Sequence, residues 1–220
     1  MSDFEKTEQN TVIRVPDRGA YDRKTIYQII DEALICHVGL VQHEQPFVIP
    51  TLHARHDDHI LLHGATTSRL IKHVQAGNAV CLTMTLVDGI VLARSVFHHS
   101  INYRSVVLFG HGTLVESDQE KLHALQCFTE RLIPGRWQDA RQPNQKELKA
   151  TSVVSVPIDS ASAKVRVGPA VDDEEDLQLP VWAGVLPIRQ QIGPPQRDPE
   201  LPAAVSQPEY IKNYIKSRSG

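Results

Sequence analysis

The stretch His63-Gly64-Ala65-Thr66-Thr67-Ser68-Arg69-Leu70-Ile71-Lys72 places hydroxyls, a guanidinium and an amine where a strand runs into a helix. Ahead of it, Ile60, Leu61 and Leu62 form an apolar run suited to a buried strand. Gly64 permits a sharp exit, and from Ser68 to Val74 apolar residues return at helical spacing. A helix start leaves backbone N–H groups without partners, so together with the positive end of the dipole it attracts phosphate. Thr66, Thr67 and Ser68 add hydroxyl donors, Arg69 offers a bidentate fork, and Lys72 follows on the same helical face. On spacing alone the same residues also make an ordinary capped helix with solvated basic side chains, since no glycine-rich nucleotide fingerprint accompanies them.

Upstream, Ile26, Ile29, Ile30 and Ala33 repeat at helical spacing behind Asp22, which predicts a capped helix from Asp22 to Ala33. Short apolar segments then alternate with turn signals: Ile35 to Val41, Phe47 to Ala54, His59 to His63, Ala79 to Val87, Ile90 to Ala93 and Ser105 to Val115. Pro46, Asp57-Asp58 and Gly77-Asn78 mark turns, and Asp88-Gly89 suits a two-residue hairpin. Many short strands with few helices predict an antiparallel barrel or sandwich rather than a parallel α/β sheet.

Downstream, Ser117-Asp118-Gln119-Glu120 opens a second helix with a capping-box pattern. Leu122, Leu125, Phe128 and Leu132 share one face of it, for covering a barrel opening or edge, and Pro134-Gly135 ends it. A short helical segment near Gln145 to Ala150 precedes the run Thr151 to Ile158, read as the last barrel strand. The acidic residues Asp172 to Asp176 read as a solvated loop, Pro180 to Gly184 as an apolar docking segment, and the proline-rich stretch Gly193 to Gln207 as an extended tail able to wrap a neighbouring subunit. The chain thus divides into an extension (1–17), one domain (18–188) and a tail (189–220).

A net charge of -3 and a pI near 6.4 leave no electrostatic footprint for nucleic acid. The polar stretch Met1 to Asn10 lacks a signal-peptide core and no apolar run is long enough to span a bilayer, so the expectation is a cytoplasmic protein without a membrane partner. Cys36, Cys81 and Cys127 sit in apolar segments and read as reduced core residues with no local activation. Eleven histidines raise a metal hypothesis around His53, His56, His59 and His63. A turn at Asp57-Asp58 would leave His56 and His59 beside solvent with His53 and His63 farther down two strands, so no metal site is expected. His98 and His99 would point to opposite sides of an extended segment.

The segments Val48 to Ala54, His63-Gly64-Ala65 with Ser68-Arg69, Gly89 to Arg94, His98 to Ser105, Pro134 to Trp137, Ser162 to Arg166 and Pro180 to Gly184 have an order and spacing that resemble a known family. These are the FMN-binding split-barrel proteins related to pyridoxamine 5'-phosphate oxidase, in the flavin-nucleotide-binding branch close to the nitroimidazole-resistance proteins. The resemblance runs from about Arg18 to Ile188. It implies a mainly β fold with flanking helices, a six-stranded antiparallel Greek-key split barrel, assembled as a homodimer with FMN in grooves at the interface.

By the same resemblance Ser68 and Arg69 would grip the FMN phosphate, with Lys72 added on physical grounds. Val48, Ile49, Pro50, Thr51 and His53 would run beside the isoalloxazine, where backbone donors favour the charge that develops on reduction. His63 and Gly64 fall where a ribityl or phosphate contact is expected, and Ser105, Asn102 and Lys164 near the flavin groove. Two departures stand out: Leu179 to Val185 replaces the oxidase's basic, histidine-containing substrate segment, and Leu70 stands where the oxidase has a lysine. The reading is therefore an FMN-dependent oxidoreductase acting on a small organic substrate other than vitamin B6, with NAD(P)H as donor and catalytic residues unassigned. A non-catalytic flavin-binding module and a haem-binding protein on the same barrel are the alternatives. Trp137 and Trp182 are candidates for stacking on a ring or for packing, and Arg94, Arg104 and Arg136 for an anionic substrate or for interface carboxylates.

Overall fold

The computed structural model describes residues 3–218; Met1 and Ser2 of the extension and Ser219 and Gly220 of the tail lie outside them. Eleven strands and six α-helices follow in chain order among these residues: β1 (Gly19–Ala20), α1 (Arg23–Glu32), β2 (Ile35–Gln42), β3 (Gln45–Leu52), β4 (Ala54–His56), β5 (His59–Ala65), α2 (Arg69–Gln75), β6 (Ala79–Leu92) and β7 (Ser100–His111). Then come β8 (Thr113–Leu114), α3 (Asp118–Leu132), α4 (Arg136–Asp139), α5 (Gln145–Ala150), β9 (Thr151–Pro157), β10 (Ser160–Arg166), β11 (Gly184–Pro187) and α6 (Glu209–Arg218).

The strands form two antiparallel sheets, one ordered β1-β10-β7-β6-β2-β3 with β11 added along β6, the other β4-β5-β9-β8. The chain switches sheets at His53, through α2, at Gly112 and at Ile158-Asp159, and the two sheets share no pairing among the described residues, so this is a split barrel that hydrogen bonds do not close. Gly112 is obligatory at its corner, because a Cβ there would stand 2.7 Å from Val74 Cγ1.

The core lies between the sheets. Val38, Leu82, Met84, Val106 and Leu108 of the large sheet face Ile60, Leu62, Val154 and Val156 of the small one, and Ile26, Ile29 and Ile30 of α1 plug the space between. Each fully buried aliphatic side chain contributes roughly 1.5–3 kcal/mol. Asp22 caps α1, accepting from Thr25 N at 2.8 Å, and Ser117 caps α3, accepting from Glu120 N at 3.1 Å, both as predicted. The C-terminus of α1 is closed from outside: Arg131 of α3 donates to the carbonyls of Ile30, Asp31 and Ala33.

Several expectations change. Asp88-Gly89 is no hairpin; β6 runs straight through it with a bulge between Val87 and Gly89, and β7 pairs on both sides. The glycine serves β11 instead, since a Cβ there would lie 3.0 Å from Val185 Cγ1. Pro46 lies within edge strand β3, and His43-Glu44, both with positive φ, make the turn before it. The run Thr151 to Ile158 is not the last strand, because β10 and β11 follow. Helix α3 covers the outer face of the small sheet through Ala124 and Phe128. Asp172 is not solvated: it accepts from Arg94 N at 2.8 Å and from Arg94 Nη1 at 2.9 Å. The tail ends in α6, whose Tyr210 hydroxyl accepts from Arg136 Nη1 at 3.0 Å and donates to Asp139 at 2.7 Å, so it folds back on α4.

Candidate functional site

The strand-to-helix junction forms as read. β5 ends at Ala65, Ser68 N donates to the Ala65 carbonyl at 2.8 Å, and α2 begins at Arg69. Because α2 is only 7 residues long, its dipole adds little and the anion-binding capacity rests on side chains. The Ser68 hydroxyl makes no capping bond. The Arg69 guanidinium lies 3.8 Å from the centre of the Phe47 ring, with neither a carboxylate nor a hydrogen-bond partner among the described residues. Lys72 stands exposed one turn on. Arg69 thus stands against β3, with Ser68 before it and Lys72 one turn after it in the chain.

Strand β3 separates its predicted contacts onto two faces. Across the large sheet Pro50 aligns with His37, Thr83, Val107 and Ser162, so Pro50 and Val48 point outward. Ser105 and Lys164 share that outer face, where Ser105 Oγ donates to the Lys164 carbonyl at 3.3 Å and Lys164 Nζ to the Arg14 carbonyl at 2.7 Å. Ile49 and Thr51 turn inward. Asn102, on the inner side of β7, is buried; it accepts from Arg166 and donates to the Gly168 carbonyl at 3.1 Å. Within one chain, then, Arg69 meets β3 at Phe47, whereas Ser105, Asn102 and Lys164 lie on β7 and β10, three and four strands away in the sheet.

The two flanking histidines differ. His53 is buried at the corner between β3 and β4, its Nε2 2.9 Å from the Ile30 carbonyl and 3.2 Å from Arg131 Nη2. Burial lowers its pKa to about 4, so it is a neutral packing group. His63 lies on the α3 side of β5 with its ring edge-on to Phe128 at 4.6 Å. Burial also lowers its pKa, and its ring nitrogens have no hydrogen-bond partner among the described residues. It opens into a cavity of about 300 Å³ lined by Leu52, Leu125, Phe128, Thr129, Leu132, Trp137, Ala140, Arg141 and Pro143. Gly64 follows it at the rim of the junction.

A larger groove of about 820 Å³ runs beside Phe47, along Val41, Pro46, Val48, Asn78 and Cys81. Phe47 belongs to its lining and Arg69 does not, and Val41, Val48 and Cys81 place most of it on the outer face of the large sheet. Sequence reasoning missed Phe47 as the platform for Arg69, although an aromatic in the strand next to a lone arginine is the available signal. It also missed Leu125, Arg141 and Pro143 as the cavity wall, because α3 and the α4–α5 connection meet β5 only through tertiary packing.

The other candidate groups are engaged elsewhere. Arg104 binds Glu32 and Asp88, Arg94 binds Asp172, and Arg136 binds Asp139 and Tyr210. His98 lies 3.1 Å from Asp173, while His99 Nδ1 accepts from Ala93 N at 3.1 Å, so the adjacent pair does part. Trp182 is 64% exposed. Cys36 is a core residue whose thiol burial pushes up to about 12, but Cys81 and Cys127 are only half-buried, Cys81 lining the groove and Cys127 lying beside two histidines. Among the described residues no helix is long and apolar enough to cross a membrane.

Residues 22–165 match the family described as pyridoxamine 5'-phosphate oxidase. Among solved structures, the flavocytochrome Anf3 from Azotobacter vinelandii is 40% identical over 94% of this chain and 96% of its own, with a TM-score of 0.90. The FAD and heme binding protein from Mycobacterium smegmatis is 32% identical over 89% of this chain and 96% of its own, with a TM-score of 0.85. A proposed 5-nitroimidazole antibiotic resistance protein from Bacteroides thetaiotaomicron is 27% identical over 67% of this chain and 86% of its own, with a TM-score of 0.57. No curated protein matches.

Proposed function

The chain belongs to the pyridoxamine 5'-phosphate oxidase family, and from that premise we propose that it binds a flavin nucleotide and passes electrons through it to a small organic substrate. The observation that carries the reading is Arg69, a cation held over Phe47 without a counter-ion among the described residues, with the Ser68 hydroxyl and Lys72 near it along α2. Such a group suits a phosphate, whose oxygens a guanidinium grips in two parallel hydrogen bonds. From there Val48 to His53 leads along β3, which supplies backbone groups on one side and the open face of the large sheet on the other. Flavin, when bound, supplies hydride and single-electron transfer.

The division of the candidate contacts fits a homodimer. Val48, 66% exposed on the edge strand β3, adjoins an outer sheet face that a second chain can cover, bringing its own Ser105 or Lys164 towards the first chain's Arg69 end. We take the nucleotide as FMN from the sequence reading; two similar proteins are described as a flavocytochrome and as an FAD and heme binding protein. Chromatography of flavin released from the purified protein decides between the two.

A second reading, haem binding, is favoured by His63. A neutral imidazole without a hydrogen-bond partner among the described residues, facing leucines, a phenylalanine and a tryptophan, is a donor that haem iron takes; the cavity of about 300 Å³ must widen to admit a porphyrin, and Arg141 at its rim must leave Glu147 to meet a propionate. Haem, when bound, supplies a one-electron iron couple.

The test is the visible spectrum of the purified protein before and after adding flavin, with gel filtration to follow the colour. A two-banded flavin spectrum travelling with a dimer, bleached by NADH or NADPH without oxygen, is the expected result. Bound flavin that neither dinucleotide reduces would leave a binding module in place of the NAD(P)H-dependent enzyme. A Soret band lost in His63→Ala would establish the second reading, and a colourless protein indifferent to flavin would remove the first.

A further inference from the structure

Where the β4–β5 hairpin passes under α3, three donor groups converge that the flavin reading does not use. His123 and Cys127 lie one turn apart on α3, and His56 is the last residue of β4. Cys127 Sγ is 3.9 Å from His56 Nδ1 and 3.8 Å from His123 Nε2, and the three ligand atoms all fall within 4.8 Å of one another. This is the one such group of three among the described residues. The two imidazoles stand edge to face, centroids 4.7 Å apart.

We propose that His56, His123 and Cys127 form a binding site for a single zinc(II) ion that clips α3 to the β4–β5 hairpin. Tetrahedral zinc with ordinary Zn–S and Zn–N bonds holds sulfur and nitrogen ligands about 3.6 Å apart. Both sulfur–nitrogen separations need only a few tenths of an ångström of closure, within reach of side-chain rotation. One thiolate and two imidazoles suit zinc rather than calcium or magnesium, which take oxygen ligands. The ligands join two segments that sequence separates by 67 to 71 residues, and their heads are exposed or half-buried, so an ion can enter from solvent.

A carboxylate also stands near the second nitrogen of one ligand. His56 turns Nδ1 to the cluster, and its other nitrogen, Nε2, stands 3.8 Å from the Asp57 carboxylate. Drawn in to hydrogen-bond distance when the imidazole ligates, that carboxylate would fix its tautomer and orientation, and the fourth position is open to water. Burial first of all raises the Cys127 pKa in the metal-free protein; binding converts S–H to S–Zn and releases that proton to solvent, with no change of oxidation state. Phe128, next to Cys127, packs on His63, so the clip fixes the helix that walls the His63 cavity.

Cobalt(II), a spectroscopic stand-in for zinc, tests the site in the full-length, tag-free protein after chelator treatment. One equivalent should produce a near-ultraviolet thiolate-to-cobalt charge-transfer band and intense tetrahedral visible bands, both displaced by zinc. Cys127→Ser should abolish the charge-transfer band, exposed His123→Asn should weaken cobalt binding at least tenfold, and Asp57→Asn about tenfold. Far-ultraviolet circular dichroism establishes that each variant folds. A wild-type protein without the charge-transfer band, or a band that survives in folded Cys127→Ser, would overturn the proposal and leave the cluster as ring packing with thiol hydrogen bonds. Neither result bears on flavin binding, which is read by its own spectrum.

Discussion

Two neighbouring regions use the same residue types to opposite ends. At the corner between β3 and β4, the buried His53 meets the half-buried Arg131, and the guanidinium closes the end of α1 through three carbonyls. At the β5–α2 junction, among the described residues, His63 has no hydrogen-bond partner and Arg69 has only an aromatic face to rest on. The first region spends its histidine and arginine on the fold; the second holds them in position and leaves their polar atoms unused. A cation or imidazole is a functional candidate by what it fails to bind within its own chain.

The sharpest way to break this contrast is to remove Arg131. Arg131→Ala strands the last carbonyls of α1 in a half-buried site and should destabilise the protein by about 4 kcal/mol in denaturant unfolding. A loss no greater than that of Arg69→Ala would mean that the two arginines do not differ as described.

A somewhat smaller effect is expected from pH. Folded His53 takes up a proton only at about pH 4, against 6.5 for an ordinary imidazole. Between those values the unfolded chain binds more protons than the folded one, so the contribution of His53 is fully present above pH 6.5 and is lost as pH falls towards 4. The shift corresponds to about 3 kcal/mol. Urea unfolding across that window should show the slope, and His53→Gln should flatten it; His63, shifted in the same direction, accounts for what remains. A slope untouched in His53→Gln would place its origin elsewhere.

The contrast also marks what could be read from the chain. Asp22, Ser117 and the strand segments were legible because caps and apolar periodicity act over a few residues, and the loop from His63 to Lys72 was legible for the same reason. Long-range relations were not. Asp88-Gly89 has the composition of a hairpin turn, yet Gly89 is needed because Pro187 of β11 pairs with it. Arg131 reads as a solvated helix residue until α3 is laid across the end of α1. The neighbours of His56 in sequence are not its neighbours in space: His123 and Cys127 come from a helix whose i, i+4 spacing is a signal without a destination. For the outer-face candidates Ser105 and Lys164, one chain is not the whole environment, so their spacing in sequence says little about what they meet.

On the free side of the comparison, Arg69→Ala should leave folding stability nearly unchanged while weakening flavin binding by about 1.5 to 3 kcal/mol, the range for a charge-assisted hydrogen bond. A fluorescence titration measures it. Unchanged affinity would take Arg69 out of the site and with it the observation on which the flavin reading rests.

Lys72 gives the smallest expected effect and sharpens the boundary of the site. Its amine is exposed, it forms no ion pair among the described residues, and it lies one turn beyond Ser68 with only the short α2 to orient it. A flexible ammonium in water holds a phosphate mainly through screened attraction, so Lys72→Ala should cost less than about 1 kcal/mol of flavin affinity. That loss should disappear at high salt, whereas the larger part of the Arg69 loss should persist, because directed hydrogen bonds to phosphate oxygens are screened less than a distant charge. If Lys72→Ala instead matched Arg69→Ala and kept its effect in salt, the phosphate would sit a full turn farther along α2, and the contact between Arg69 and Phe47 would belong to packing.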